Sequence, residues 1–158
     1  MPPKKESLLR RAVSEALRPL HVVPYENGIA CPGTPDLDYE GDATWAGFDR
    51  RHVRGWIELK TAKYESPTKA IQIKLQPGQR AWWAQRLQAG GRVSVLVRVS
   101  DVEGAWSSYL WFEGSRDAPD MPSVRSARLD RLYKLATDVR YSNYSIGFAD
   151  WIRNCVAR

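Results

Sequence analysis

Apolar residues recur at three- and four-residue intervals near the start of the chain, at Leu8, Leu9, Ala12, Val13, Ala16 and Leu17. This spacing predicts an amphipathic helix over 6–18, ended by Pro19, which has no N–H to continue the ladder. A second helix is predicted over 78–89, between Pro77-Gly78 and Gly90-Gly91. Elsewhere the period falls to two. Val93, Val95, Val97 and Val99 alternate with Ser94, Leu96, Arg98 and Ser100 and predict a half- or fully buried strand, followed by another at 106–112 (WSSYLWF). Shorter extended runs are read at Val22 to Tyr25, ahead of the Asn27-Gly28 turn, at Leu37 to Tyr39 and at Trp56 to Lys60. Residues 40–55, carrying Gly41, Gly47 and Gly55, read as a long hairpin connection, and 113–123 as a Pro- and charge-rich linker. Beyond it Leu129, Leu132, Tyr133 and Ala136 suit a helix, and 146–156 suits another.

Helices interleaved with strands predict an α/β fold, a sheet of about four or five strands with helices against it. At 158 residues the chain is expected to be one domain, with a core at about 6–112 and a helical extension at about 124–158. With 43% hydrophobic and 27% charged residues it has the composition of a globular protein rather than a disordered one. A formal charge of +6 and a pI near 9.5 favour a polyanionic partner, because Lys and Arg that neutralise phosphates release condensed counterions. Cys31 and Cys155 form no CxxC spacing and are expected to be free thiols in a reducing compartment. No secretory signal follows Met1-Pro2-Pro3-Lys4-Lys5, and no apolar run is long enough to span a bilayer, so a cytoplasmic protein without a membrane partner is expected.

The chemistry concentrates between Gly33 and Lys60. On a strand, Glu58 and Lys60 project from one face while Ile57 and Leu59 project from the other. Asp36 follows Pro35 at the entry to a second extended segment, so two hairpin strands would set its carboxylate beside that of Glu58. A hard cation such as Mg²⁺ takes oxygen ligands, often one or two carboxylates plus water and substrate phosphate. Lys60 beside it would orient water or stabilise charge on a pentavalent phosphate. Phosphodiester hydrolysis is the reaction this set suits.

The pattern Pro35-Asp36 … Glu58-Leu59-Lys60 resembles the PD-(D/E)XK nuclease superfamily, most closely its virus-type replication-repair nuclease (VRR-NUC) branch. The resemblance runs in order through Gly33-Thr34-Pro35-Asp36-Leu37, Ile57-Glu58-Leu59-Lys60-Thr61, the Leu75 to Trp82 stretch with Gln79, Gly90-Gly91 and Val93 to Val99, covering roughly residues 6 to 99. It implies a restriction-endonuclease-like core with a mixed sheet, and Mg²⁺ or Mn²⁺ held by Asp36, Glu58 and the Leu59 carbonyl. It also implies a supporting role for Lys60 and a place for Gln79 at the edge of the site. It further implies a metal-site glutamate on the first helix; Glu6 is preferred to Glu15 by its distance to Asp36, although an acid near the positive end of a helix explains Glu6 equally.

Other charged residues carry weaker signals. Lys60, Lys63, Lys69, Lys74 and Arg80 face one acid, Glu65, across 60–80, and such a segment would either hold phosphate backbone or be a solvated loop. Gln79 and Arg86 share a helix face with at least one of Trp82 and Trp83, which adds Arg86 to the candidate nucleic-acid contacts. Asp38, Glu40, Asp42 and Asp49 are read as solvated loop charges. His21 and His52 are too few and too far apart for a zinc site. From Val124 onward seven Lys or Arg stand among aromatics against three Asp, a mix that binds single strands or caps the sheet, with packing favoured because Leu and Tyr at helical spacing are usually core.

The expectation is therefore a Mg²⁺-dependent endonuclease acting on DNA. The resemblance implies branched or flapped DNA, handled in the manner of a Holliday-junction resolvase and possible as a homodimer, and a phage origin. The alternatives are a catalytically inactive nucleic-acid-binding protein on the same fold, or a structural subunit of a replication or packaging complex.

Overall fold

The computed structural model describes residues 5–24, 35–45, 51–114, 126–141 and 146–158, without the side chains of residues 5, 6, 77 and 126. In chain order these form α1 (Lys5–Ala16), β1 (His21–Pro24), β2 (Leu37–Ala43), β3 (Arg51–Tyr64), β4 (Ile71–Gln72), α2 (Pro77–Gln88), β5 (Val93–Asp101), β6 (Ser107–Glu113), β7 (Ser126–Ala127), α3 (Leu129–Leu135), β8 (Asp138–Tyr141) and α4 (Phe148–Ala157). Six strands make an open mixed sheet in the order β1-β2-β3-β5-β6-β8, and β4 pairs with β7 in a small separate ribbon. Only β3 and β5 run parallel; the other neighbours are antiparallel. The result is an α/β fold compatible with a restriction-endonuclease-like core.

Both faces of the sheet are covered, which explains why β5 is buried at nearly every position, its serines included, rather than at every second one. Val53, Ile57 and Leu59 of β3 and Leu96 of β5 pack with Leu9 and Val13 of α1, Leu17 just after it, and Trp151, Ile152 and Val156 of α4. On the other face Trp56 and Ala62 of β3 and Val93, Val95, Val97 and Val99 of β5 pack with Trp83 and Leu87 of α2 and Leu132 of α3. Each fully buried Leu or Val contributes about 1.5–3 kcal/mol relative to an exposed one. Strand β3 separates the two cores, so alternate residues of one segment look into different layers.

The long hairpin connection expected over 40–55 is strand at both ends. β2 runs on to Ala43 and β3 begins at Arg51, paired from Leu37↔Ile57 to Ala43↔Arg51. Gly41 and Gly55 mark close approaches inside the ladder rather than a loop, and Gly47 lies outside the described residues. A Cβ on Gly55 would come within 2.5 Å of the Tyr39 hydroxyl and 3.0 Å of the Arg92 carbonyl. Gly41 has φ +147 beneath Leu20. Asp38 is accordingly no loop charge: it is half-buried opposite Trp56, and burial raises its pKa.

The C-terminal third adds to the sheet. β8, read from sequence only as the stretch between two helices, pairs with β6 as an outer strand, and Thr137 N–H donates to the Trp111 carbonyl at 2.8 Å. α4 is tied in by arginines: Arg153 Nε donates to the Ala16 carbonyl at 2.8 Å, and Arg92 donates to the carbonyls of Cys155 (2.8 Å) and Val156. Cys155 is a free, buried thiol whose pKa burial pushes up to about 12, so it is chemically inert; Cys31 lies outside the described residues.

Candidate active site

The β2–β3 register delivers the acids. Leu37 stands opposite Ile57, so one step outward along the ladder Asp36 and Glu58 come together at the end of β2. Asp36 continues the ladder with its side chain: Oδ2 accepts the Leu59 N–H at 2.8 Å. Its Oδ1 accepts from Arg10 Nη2 of α1 at 2.7 Å.

Glu58 lies on the α2 side of β3, its side chain 1% exposed. Lys60, two residues on and on the same face, places Nζ 2.6 Å from Glu58 Oε1. Gln79, in the first turn of α2, donates Nε2 to the same oxygen at 2.5 Å, while its own Oε1 accepts the Gln76 N–H at 2.8 Å. The Gln79 amide is thus spanned between the helix start and the carboxylate, which fixes its orientation. Glu58 Oε2 is buried and has no partner among the described residues. Burial, then the nearby charge of Asp36, raise the Glu58 pKa to about 7 against the pull of Lys60 and Gln79.

These features describe two adjacent carboxylates, each with one cation, Arg10 or Lys60, on one oxygen. Two carboxylates repel one another, and one buried oxygen lacks a donor among the described residues. Among the described residues no group of three or more His, Cys, Asp or Glu converges. The two carboxylates that meet, Asp36 and Glu58, are oxygen donors of the kind Mg²⁺ or Mn²⁺ takes and lack the N or S ligands zinc takes, and the Leu59 group seen at the site is its N–H, bonded to Asp36.

Next to Lys60 a cleft of about 480 Å³ opens, lined by Lys60, Lys63, Lys69 and Lys74 with Glu65 and Gln72 among others. Lys63 Nζ donates to the carbonyls of Asp101 (3.0 Å) and Val102 (2.8 Å), and Lys69 pairs with Glu65 at 2.5 Å. Three of the five candidate nucleic-acid residues thus join Lys60 along one wall. Arg80 sits half-buried beside Gln79 on α2. Arg86 goes elsewhere: its guanidinium lies over Trp56 (5.2 Å) and Trp82 (5.0 Å) and lines a different recess with Arg54 and Arg92. Seven residues separate it from Gln79, about 10 Å along a helix, so a shared face did not mean a shared site.

Glu6 lies one turn before Arg10 in α1, with its side chain outside the described set. Glu15 is exposed and pairs with Arg11 at 2.9 Å. His52 stands at the far end of the β2–β3 ladder, on the exposed surface between Asp42 (3.2 Å) and Glu40 (3.4 Å). Arg10 is the site residue that the sequence did not single out. Its only signal was position, at the margin of the apolar face formed by Leu9 and Val13 on the helix expected to serve the site.

No protein-family model, curated protein or solved structure matches the chain. Among the described residues no helix is long and apolar enough to cross a membrane.

Proposed function

We propose that this protein is a divalent-metal-dependent nuclease that hydrolyses DNA phosphodiester bonds. The observation that carries the reading is the Oε2 of Glu58, buried without a partner among the described residues beside the Asp36 carboxylate, with Lys60 on the other Glu58 oxygen. Asp36 and Glu58 would hold Mg²⁺ or Mn²⁺ together with the Leu59 carbonyl. Bound there, the ion supplies Lewis-acid polarisation of a phosphoryl oxygen and a more acidic water. Lys60 Nζ supplies a cation at the reacting phosphate, where it orients the attacking water or offsets developing negative charge. Gln79 keeps Glu58 pointed at the site. The lysine-lined cleft next to Lys60 suits sugar-phosphate backbone, and its contacts position a strand without reading its sequence.

Branched or flapped DNA is the leading substrate class under this reading, with the host cytoplasm of a phage as its setting. Cutting both strands of a junction would need two symmetric sites, hence a homodimer. The competing reading is a nucleic-acid-binding protein that does not cut, and the observation in its favour is that Arg10 already satisfies Asp36.

The test is cleavage of labelled linear, single-stranded, flap and four-way-junction DNA with Mg²⁺ or Mn²⁺, comparing wild type with Asp36→Asn and Lys60→Ala. Metal-dependent cutting lost in both variants is the expected result, and the preferred DNA identifies the substrate class. Binding without cutting, or normal cutting by both variants, overturns the nuclease reading in favour of the binding protein.

A further inference from the structure

Asp36 already has a cation. Arg10 Nη2 donates to Oδ1 at 2.7 Å, with the two side chains only 20% and 15% exposed, and Oδ2 is held by the Leu59 N–H at 2.8 Å. Both oxygens that would serve an ion are therefore engaged. Arg10 is itself incompletely satisfied, because its Nε is buried without an acceptor among the described residues. Arginine does not shed its charge, and a guanidinium is at its best in two parallel bonds to one anion, which this single bond to Oδ1 does not provide. On the neighbouring acid, Glu58 Oε1 is held by Lys60 and Gln79, while Oε2 has no donor among the described residues. Each carboxylate of the pair thus has one cation, Arg10 on Asp36 and Lys60 on Glu58 Oε1, and the second Glu58 oxygen is the one left open.

We propose that Arg10 gates the cation site. Its guanidinium competes with a divalent ion for Asp36, and the site loads readily only when Arg10 is drawn onto another anion. The anion whose geometry matches a guanidinium fork is a phosphodiester, two of whose oxygens accept both bonds. Metal and nucleic-acid backbone then bind with positive coupling, each favouring the other by the same factor. Metal loading in the absence of DNA is held down, which restrains adventitious hydrolysis by the free protein. The inference rests on the nuclease reading for the identity of the ion.

The test is calorimetric titration of Mg²⁺ alone, without DNA, into wild type, Arg10→Gln and Arg10→Lys, with folding checked by circular dichroism. Arg10→Gln removes the competing charge and is expected to bind Mg²⁺ about tenfold more tightly, equivalent to about 1.4 kcal/mol. Arg10→Lys, which keeps a cation without the fork, tightens binding by a smaller factor. Loss of a merely structural brace would loosen the site, so tighter binding does not arise from that cause. Should Arg10→Gln fail to fold, Arg10→Lys decides alone, tighter binding supporting the gate and equal binding overturning it. Equal or weaker Mg²⁺ binding by the variants, with clear binding by wild type, overturns the gate and leaves the nuclease reading standing. Absence of Mg²⁺ and Mn²⁺ binding in all three proteins overturns both.

Discussion

The side-chain amide of Gln79 lies 2.5 Å from Glu58 Oε1 and turns its own oxygen to the Gln76 N–H at 2.8 Å, so the start of α2 and the carboxylate on β3 are held by one group. Gln79→Ala frees Glu58 to rotate and opens the first turn of α2. Partners that orient a metal ligand are worth about 10–100-fold in metal affinity or activity, and the lost cap costs about 1 kcal/mol of stability. The expected outcome is a drop of that size in kcat/KM for DNA cleavage with a small fall in Tm. Gln79→Glu, which sets a third carboxylate on the pair, is expected to be more damaging to metal-free stability than Gln79→Ala.

Glu58 makes stability depend on pH. Its carboxyl titrates at about 7 in the folded protein against an ordinary value of 4.5. The folded state holds this proton more tightly than the unfolded chain, so the stability contributed by Glu58 is full below pH 4.5 and is lost as pH rises through about 7. Metal-free wild type should therefore lose Tm across that window more steeply than Glu58→Gln, in which the titration is absent. Mg²⁺ must displace the same proton, so its affinity should rise over the same range. Parallel curves for the two proteins would contradict the burial-driven shift.

Much of this site could be anticipated because it depends on local periodicity. Alternation along a strand puts Glu58 and Lys60 on one face, and the 2.6 Å contact between them follows from it. Other features depend on chain segments meeting far from each other in sequence. Arg10 reaches Asp36 across 26 residues, and in an amphipathic helix its charge looks like any solvated one. β8, four residues in which Val139 and Tyr141 alternate with the charged Asp138 and Arg140, is a strand through its pairing with the edge of β6. Gly55 reads as a turn in sequence and is a strand residue because a buried tyrosine ring fills the space opposite it.

That close approach predicts a stability effect remote from catalysis. Gly55→Ala would push a methyl against the hydroxyl of Tyr39, which is fully buried, and against the Arg92 carbonyl, with neither free to withdraw. Overpacking of this kind costs about 1–3 kcal/mol. Urea unfolding should show a lower midpoint at an unchanged m-value. A neutral effect would mean that Tyr39 is not seated across the β2–β3 ladder.

Asp36 separates structure from chemistry. Asp36→Asn keeps an oxygen for either the Leu59 N–H or Arg10 and should fold with a loss of about 1 kcal/mol. Asp36→Ala abandons the part-buried donors of both Leu59 and Arg10. Unsatisfied donors of this type cost about 1–3 kcal/mol each, more for a charged one. Both variants should lack metal-dependent cleavage, while chemical denaturation ranks wild type, Asn and Ala in that order. Equal stability of the two variants would mean that the hydrogen bonds to Asp36 contribute little.

The lysine cleft predicts how DNA affinity responds to salt. Lys74 is exposed on the wall of the cleft and Lys69 is exposed beside Glu65, so Gln at either position removes a charge without disturbing the core. If each lysine neutralises one phosphate, the slope of log K against log salt should flatten by about 0.9 per substitution on duplex and about 0.7 on single strands. Affinity should fall by a similar factor for every DNA sequence, because phosphate contacts carry no base information. Arg86→Gln, in the separate recess against Trp56 and Trp82, serves as the comparison. It should leave the slope of the lysine cleft unchanged while costing stability through the lost stack on the two rings, about 0.5–1 kcal/mol at an exposed site. Binding measured by fluorescence anisotropy with Mg²⁺ withheld keeps cleavage out of the result. A slope that responds to Arg86→Gln and not to the lysine substitutions would move the strand path from the lysine cleft to the tryptophan recess.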